Sequence, residues 1–298
     1  MFLLVGTAPG PVVPRSVIPL VLTLLLAFAA AADWPMFRLD TARTGAMGPG
    51  PGAELAIAWN FTTGFPVYSS PAVVDGTVYV GSWDGKMYTL DARTGEEVWR
   101  FDTGTAISSS PAVHHGVVFF GAGDGLVYAL DGRTGNEKWK YETGASISSS
   151  PAVADGVVYI GSDDHFIYAL NETTGALVWQ VDTGEIVDSS PVVVDGVVYI
   201  GSDDWNVYAL NAATGSEVWR FATENEVDAT PAVVDGTLYI GSFDNNVYAL
   251  DARTGEEVWR YDAESDIEGA VAVADGRVYI GSDGNEVLAV DARTGKRL

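Results

Sequence analysis

The chain has 298 residues, 47% of them hydrophobic and 19% charged, and no cysteine, which excludes disulfides and thiolate metal sites. Its 16 Lys+Arg stand against 40 Asp+Glu, a formal net charge of −24 at pH 7. Nucleic acid is excluded as a partner, because phosphate binding needs a basic footprint; so acidic a chain suits cations better than anionic lipid.

Residues 1–32 carry one charge, Arg15, ahead of an apolar run from Val17 to Phe28 broken only by Thr23. The small residues Ala29 to Ala32 then lead into Asp33. This is the pattern of a secretory signal with its apolar region and cleavage site. The run is short for a spanning helix, which needs ~20 residues; an uncleaved N-terminal membrane anchor is the alternative. Either reading places the rest of the chain outside the cytoplasm, secreted or anchored to the outer side of the cell membrane. Residues 33–52 read as an entry segment.

From residue 53 to residue 298 the chain repeats itself. Trp59, Trp99, Trp139, Trp179, Trp219 and Trp259 fall at a fixed interval, and nearly every residue around them recurs in step. A strict period of this length marks a repeat architecture. Within the first unit, Ser70 to Val74 leads into Asp75-Gly76, a dipeptide suited to the positive φ angles of a type I′ hairpin turn. Thr77 to Ser82 and Met87 to Leu90 are apolar without alternation, as strands buried on both faces are. Asp91 and Thr94-Gly95 make a turn in which the carboxylate bonds backbone amides ahead of it. A fourth run carries Val98, Trp99 and Phe101. Four short strands per unit predict an all-β fold, a six-bladed β-propeller of four-stranded antiparallel blades. The indoles are expected to wedge between blades.

The sixth unit reaches Leu298 just before its tryptophan is due, and six periods earlier stands Trp59. The segment from Ala53 to Phe61 is therefore expected to complete the last blade, an N-terminal strand closing the ring and removing its open edges. A larger ring, of which this chain is a part, is the alternative.

The run from Ala129 through Asp131, Thr134 and Gly135 to Trp139 has the form A-x-D-x-x-T-G-x-x-x-W. It resembles the tryptophan-docking motif of the quinoprotein propellers, the pyrroloquinoline quinone (PQQ) repeat superfamily. Ala249 to Trp259 fits at every motif position, whereas Thr89, Asn171 and Asn211 depart from it. The stretch from Asp33 to Gly45 resembles the entry sequence of such proteins. That superfamily includes PQQ-dependent dehydrogenases and the non-enzymatic BamB subunit of outer-membrane assembly. Its alcohol dehydrogenases typically have eight blades, long insertions and a vicinal cysteine pair, none of which this sequence shows. The resemblance thus implies a non-catalytic, BamB-like member with no cofactor expected. A quinoprotein dehydrogenase using PQQ and calcium is the alternative.

Positions identical in all units serve the blade, so function is sought where the repeats diverge. The links entering each first strand and the turns between second and third strands diverge most, and both lie on one face of the ring. Tyr68, Trp83, His165, Phe166, Trp205 and Phe243 are the bulky residues there, candidates for a protein- or glycan-binding face. The expected partner is an envelope or extracellular protein or glycan, bound by a monomer. Asp188, Asp228 and Glu268, on three successive links, are a candidate calcium site. Asp84, Asp124, Asp164, Asp204 and Asp244 recur at one turn position and are read as turn chemistry. His114 and His115 are adjacent, and strand neighbours point to opposite faces, which argues against a shared metal. With three histidines and no cysteine, nucleophilic triads lack their parts.

Overall fold

The structure, a computed structural model, describes residues 21–22, 36–37 and 57–298. Most of residues 1–32, which the sequence reads as a signal or anchor, and most of the entry segment lie outside the described residues. Among the described residues every regular element is a strand. Blade 1 is an antiparallel meander of Ala72–Val74, Thr77–Gly81, Lys86–Asp91 and Glu97–Asp102. Four more four-stranded sheets follow with the same order, and a sixth has three strands, Ala272–Ala274, Arg277–Ser282 and Glu286–Asp291. The first strands of successive blades contact one another and so line the axis of a six-bladed propeller.

The turn joining first and second strands is the one the dipeptide requires. Asp75 and Gly76 have φ of 48° and 72°, and His115 and Gly116 adopt the same pair of signs at 48° and 73°. Second and third strands are covered on both faces, because the core lies between blades rather than within them. One cluster, for example, joins Tyr199 and Val207 of blade 4 to Leu238, Ile240 and Tyr248 of blade 5. Outer strands alternate instead, with Trp139 buried and its neighbours Lys138 and Lys140 exposed.

Each indole reaches across to the next blade. Trp99 Nε1 donates to Gly132 O, Trp179 Nε1 to Ala212 O and Trp219 Nε1 to Ala252 O, all at 2.9 Å. The ring lies flat on the glycine of the following Thr-Gly turn: a Cβ on Gly215 would stand 2.8 Å from the Trp179 ring. That glycine also has φ of 71°, so the turn and the blade contact both demand it. Near the axis a second ladder runs from blade to blade. Ser70 N–H donates to Ser110 Oγ at 2.8 Å, and Ser110 N–H to Ser150 Oγ at 2.9 Å.

The expected closure is half present. Trp59 Nε1 donates to Ala92 O at 2.9 Å, and Phe61 packs edge-on against Tyr88, as outer-strand residues do on the blade that follows them. The pairing with the last blade is not made by any described residue of the N-terminal segment. Phe61–Thr62 pairs with Val21–Leu22. On the last blade's edge, Leu298 N–H bonds Ala289 O at 2.9 Å and Arg297 bridges to Val290. The chain's own last residues thus begin the fourth strand in the usual register. Blade 6 also leaves its far face open: Val287 is 83% exposed, whereas Val247 is fully buried. Gly281 faces open space, where its counterpart Gly241 has Ile267 pressed against it.

Candidate binding face at the channel mouth

The turns between second and third strands share one frame. Asp84 Oδ1 accepts from Lys86 N–H at 3.2 Å and Oδ2 from Tyr88 Oη at 2.8 Å, and Oδ2 also takes Gly64 N–H at 2.7 Å. Asp124, Asp164, Asp204 and Asp244 hold the corresponding tyrosines. Burial and this bond raise the phenol pKa of Tyr88, Tyr128, Tyr168, Tyr208 and Tyr248. The recurring aspartates are therefore committed to the turn.

On that frame, the residue before the aspartate meets the link of the following blade. Trp83 Nε1 donates to Ser108 Oγ at 2.9 Å. One blade pair at a time, the same juxtaposition brings Asp163 to Asp188 and Asp203 to Asp228. The two pairs also feel one another, and Glu268 adds its charge to Asp228. A file of five acidic side chains thus crosses blades 3 to 6. Burial, then the facing Asp163 carboxylate, pushes Asp188 up to about 7. Burial, then the bond to Asp203, pushes Asp228 up to about 8, and burial raises Asp163 as well. Two buried like charges at contact disfavour joint ionisation, which is why Asp188 and Asp228 are pushed up. Among the described residues, Oδ1 of Asp163, Asp188, Asp203 and Asp228 is shut from solvent and has no donor. Unsatisfied buried acceptors are costly and point to a missing counter-group, such as a cation or water.

The predicted metal set of Asp188, Asp228 and Glu268 thus lies on one side of the mouth, and it makes up three of the five members of the acidic file. Asp163 and Asp203 were missed by sequence reasoning. The signal was available: the position of Trp83 varies from unit to unit, and it is acidic at 163 and 203, one blade before the acidic links.

The aromatic candidates divide. Tyr68 is 64% and Trp83 45% exposed, and their rings pack at 4.5 Å, forming an apolar corner on blade 1. His165 and Trp205 occupy a left-handed position, with φ of 77° and 70°, that Gly85 and Gly125 fill elsewhere. A bulky residue there is strained, and it holds Trp205 out in solvent, 50% exposed. Phe243 is half-buried at the position equivalent to Trp83. Phe166 is half-buried, packing with Tyr168 against the core of blades 2 and 3. A cavity of about 730 Å³ opens beside Tyr68 and runs past Asp228 and Glu268 to Gly281 and Val287 of blade 6. Phe37 of the entry segment also lines it.

The opposite end of the propeller corrects another expectation. Because His115 sits at φ 48° in the hairpin turn rather than in the strand, its ring folds back beside His114, with centroids 3.9 Å apart. His114 Nδ1 lies 2.8 Å and His115 Nδ1 3.5 Å from Glu172 Oε1 of the next blade.

The sequence profile of the family described as outer membrane protein assembly factor BamB matches residues 46–151, 142–225 and 203–298. Among solved structures, BamB from Moraxella catarrhalis superposes with a TM-score of 0.69 at 23% identity, over 78% of this chain and 74% of that one. The computationally designed Ika8 protein gives 0.68 at 23% identity, over 76% and 72% of the two chains. A europium-containing methanol dehydrogenase gives 0.76 at 16% identity, over 89% and 77%. At such identities the likeness establishes the fold and leaves the activity open. No curated protein matches the chain in sequence.

Proposed function

Because the chain belongs to the BamB-type family of PQQ-repeat propellers, we propose that it is a non-catalytic binding scaffold outside the cytoplasm, at the cell envelope, that captures a protein through its channel mouth. The observation that supports this most is where the repeats differ. Units that are otherwise near copies place the packed, exposed Tyr68–Trp83 corner and the strained, exposed Trp205 on one face. Exposed aromatics beside a polar rim are the usual anchors of protein interfaces. The acidic file alongside them selects a partner carrying Lys or Arg, whose charge would occupy the unsatisfied Oδ1 atoms. Calcium fits the same donors, since it takes carboxylate oxygens completed by water.

PQQ fits less well. It is a planar quinone with three carboxylates, and the described residues lining the cavity include Asp228, Glu268, Asp283 and Glu286 but no Lys, Arg or His. Among those residues only a cation held by the carboxylates would supply the counter-charge such a cofactor needs.

The test is capture of partners from the native envelope by the full chain and by the double variant Trp83→Ala/Trp205→Ala. The variant should melt at the same temperature and lose its partner; an unchanged set of captured proteins would discard the proposal. Selective binding in a glycan panel, lost in the same variant, would reassign the face to a carbohydrate. Bound chromophore and dye reduction after adding PQQ with calcium would restore the enzymatic reading.

A further inference from the structure

The junction of blades 2 and 3 departs from the repeat at four positions, and all four meet in space. The counterparts of His114 in the other units are valine or alanine, those of His115 are aspartate, and those of Glu172 are alanine or glycine. Phe119 stands where other blades have a tyrosine, such as Tyr79 and Tyr159, whose hydroxyls bond the carbonyl of the residue equivalent to Glu172. Two of the chain's three histidines are spent here. Independent drift would scatter such changes around the ring; their convergence needs a shared cause.

Their geometry supplies one. Donor atoms of His114, His115 and Glu172 all lie within 4.8 Å of one another. Both imidazoles present Nδ1 to the same oxygen of a glutamate whose side chain is only 10% exposed. Among the described residues no Lys or Arg pairs with that carboxylate, so its buried charge lacks a strong counter-charge. Zinc bonds imidazole nitrogen at ~2.0–2.1 Å and carboxylate oxygen at ~2.0–2.2 Å, which spaces tetrahedral donors by roughly 3.4 Å. The 2.8 and 3.5 Å separations seen here bracket that spacing. Two nitrogens and one oxygen suit zinc, nickel, cobalt or copper; calcium and magnesium prefer all-oxygen shells.

We propose that His114, His115 and Glu172 form a divalent transition-metal site, most simply a zinc site, with water completing the shell. Backbone holds the three donors in place. The type I′ turn aims His115, while Glu172 sits in a turn whose carbonyl is fixed by Trp139 Nε1 at 2.9 Å. The site faces away from the channel mouth, so it does not depend on the partner proposed above. It joins two successive blades, and a bound ion would tie them together. The exposed His115, 78% accessible, leaves room for an exchangeable fourth ligand.

Titration of the full chain with zinc in excess calcium, which occupies the acidic mouth, should show uptake of one equivalent. Cobalt should give the intense visible band of a tetrahedral nitrogen-containing site. The triple variant His114→Val/His115→Asp/Glu172→Ala restores the residues of the other blades and should therefore fold. It should lose zinc affinity by at least tenfold together with the cobalt band, while His165→Ala keeps both. His115→Ala alone should weaken binding by about tenfold or more. Equal zinc affinity in the native chain and the triple variant would overturn the assignment, as would no zinc uptake by the native chain, or a cobalt spectrum of octahedral, all-oxygen type.

Discussion

The two acid pairs make a quantitative prediction about pH. Asp188 titrates at about 7 and Asp228 at about 8 in the fold, against 3.8 for a free carboxyl. A carboxyl whose folded pKa is raised binds more protons folded than unfolded. Its contribution to stability is fully present below the unfolded pKa and is lost as pH rises through the folded one. The window therefore runs from about pH 4 to about pH 8. At ~1.36 kcal/mol per pH unit, moving one carboxyl from 3.8 to about 7 corresponds to about 4 kcal/mol. Partial exposure and screening reduce this to roughly 2 kcal/mol. The double variant Asp188→Asn/Asp228→Asn removes the ionisation, and its amides donate to Asp163 and Asp203. With two such carboxyls removed, about 4 kcal/mol in all, at pH 9 in chelator it should melt higher than the native chain by roughly 8–16 °C for a domain of this size, and the gap should close by pH 4. Calorimetry across that range is the assay. Adding calcium should raise the native melting temperature alone. A variant that melts no higher at pH 9, or that gains equally at pH 4 and pH 9, would refute the reasoning.

Gly215→Ala combines a left-handed φ with a Cβ 2.8 Å from the Trp179 ring, and it should cost about 2–4 kcal/mol, whereas Gly156→Ala, also left-handed but with no neighbour within 4 Å, should cost only about 1–2 kcal/mol. Chemical denaturation of the two variants separates backbone strain from collision with the indole. Trp179→Ala should lose about 3–5 kcal/mol, and Trp179→Phe, which keeps most of the packing and loses the bond to Ala212 O, only about 1–2 kcal/mol. Val247→Lys, at a fully buried site, should destabilise severely, while Val287→Lys, on the open face of blade 6, should change stability by less than about 0.5 kcal/mol; equal losses would mean that face is covered in solution.

Much of the fold could be read from the chain. The period of the tryptophans, the Asp-Gly turns and the unbroken apolar runs are local signals, each set by backbone stereochemistry and by strands buried on both sides, and they specify four-stranded blades before any contact is known. The committed role of Asp84 and its counterparts was legible for the same reason, since a carboxylate two residues from an amide is positioned by the turn itself.

What escaped the sequence depends on distances between blades. His115 shares a face with His114 only because a positive φ takes it out of the strand. Asp163 meets Asp188, and His114 meets Glu172, across junctions whose geometry follows from how one wedge packs on the next. Phe166 divides its surface between solvent and the core of blades 2 and 3, a choice made by strand register one residue at a time. Periodicity determines a repeating unit because each copy obeys the same local rules; the points where copies touch obey no local rule, and there only the assembled ring could say which side chains become neighbours.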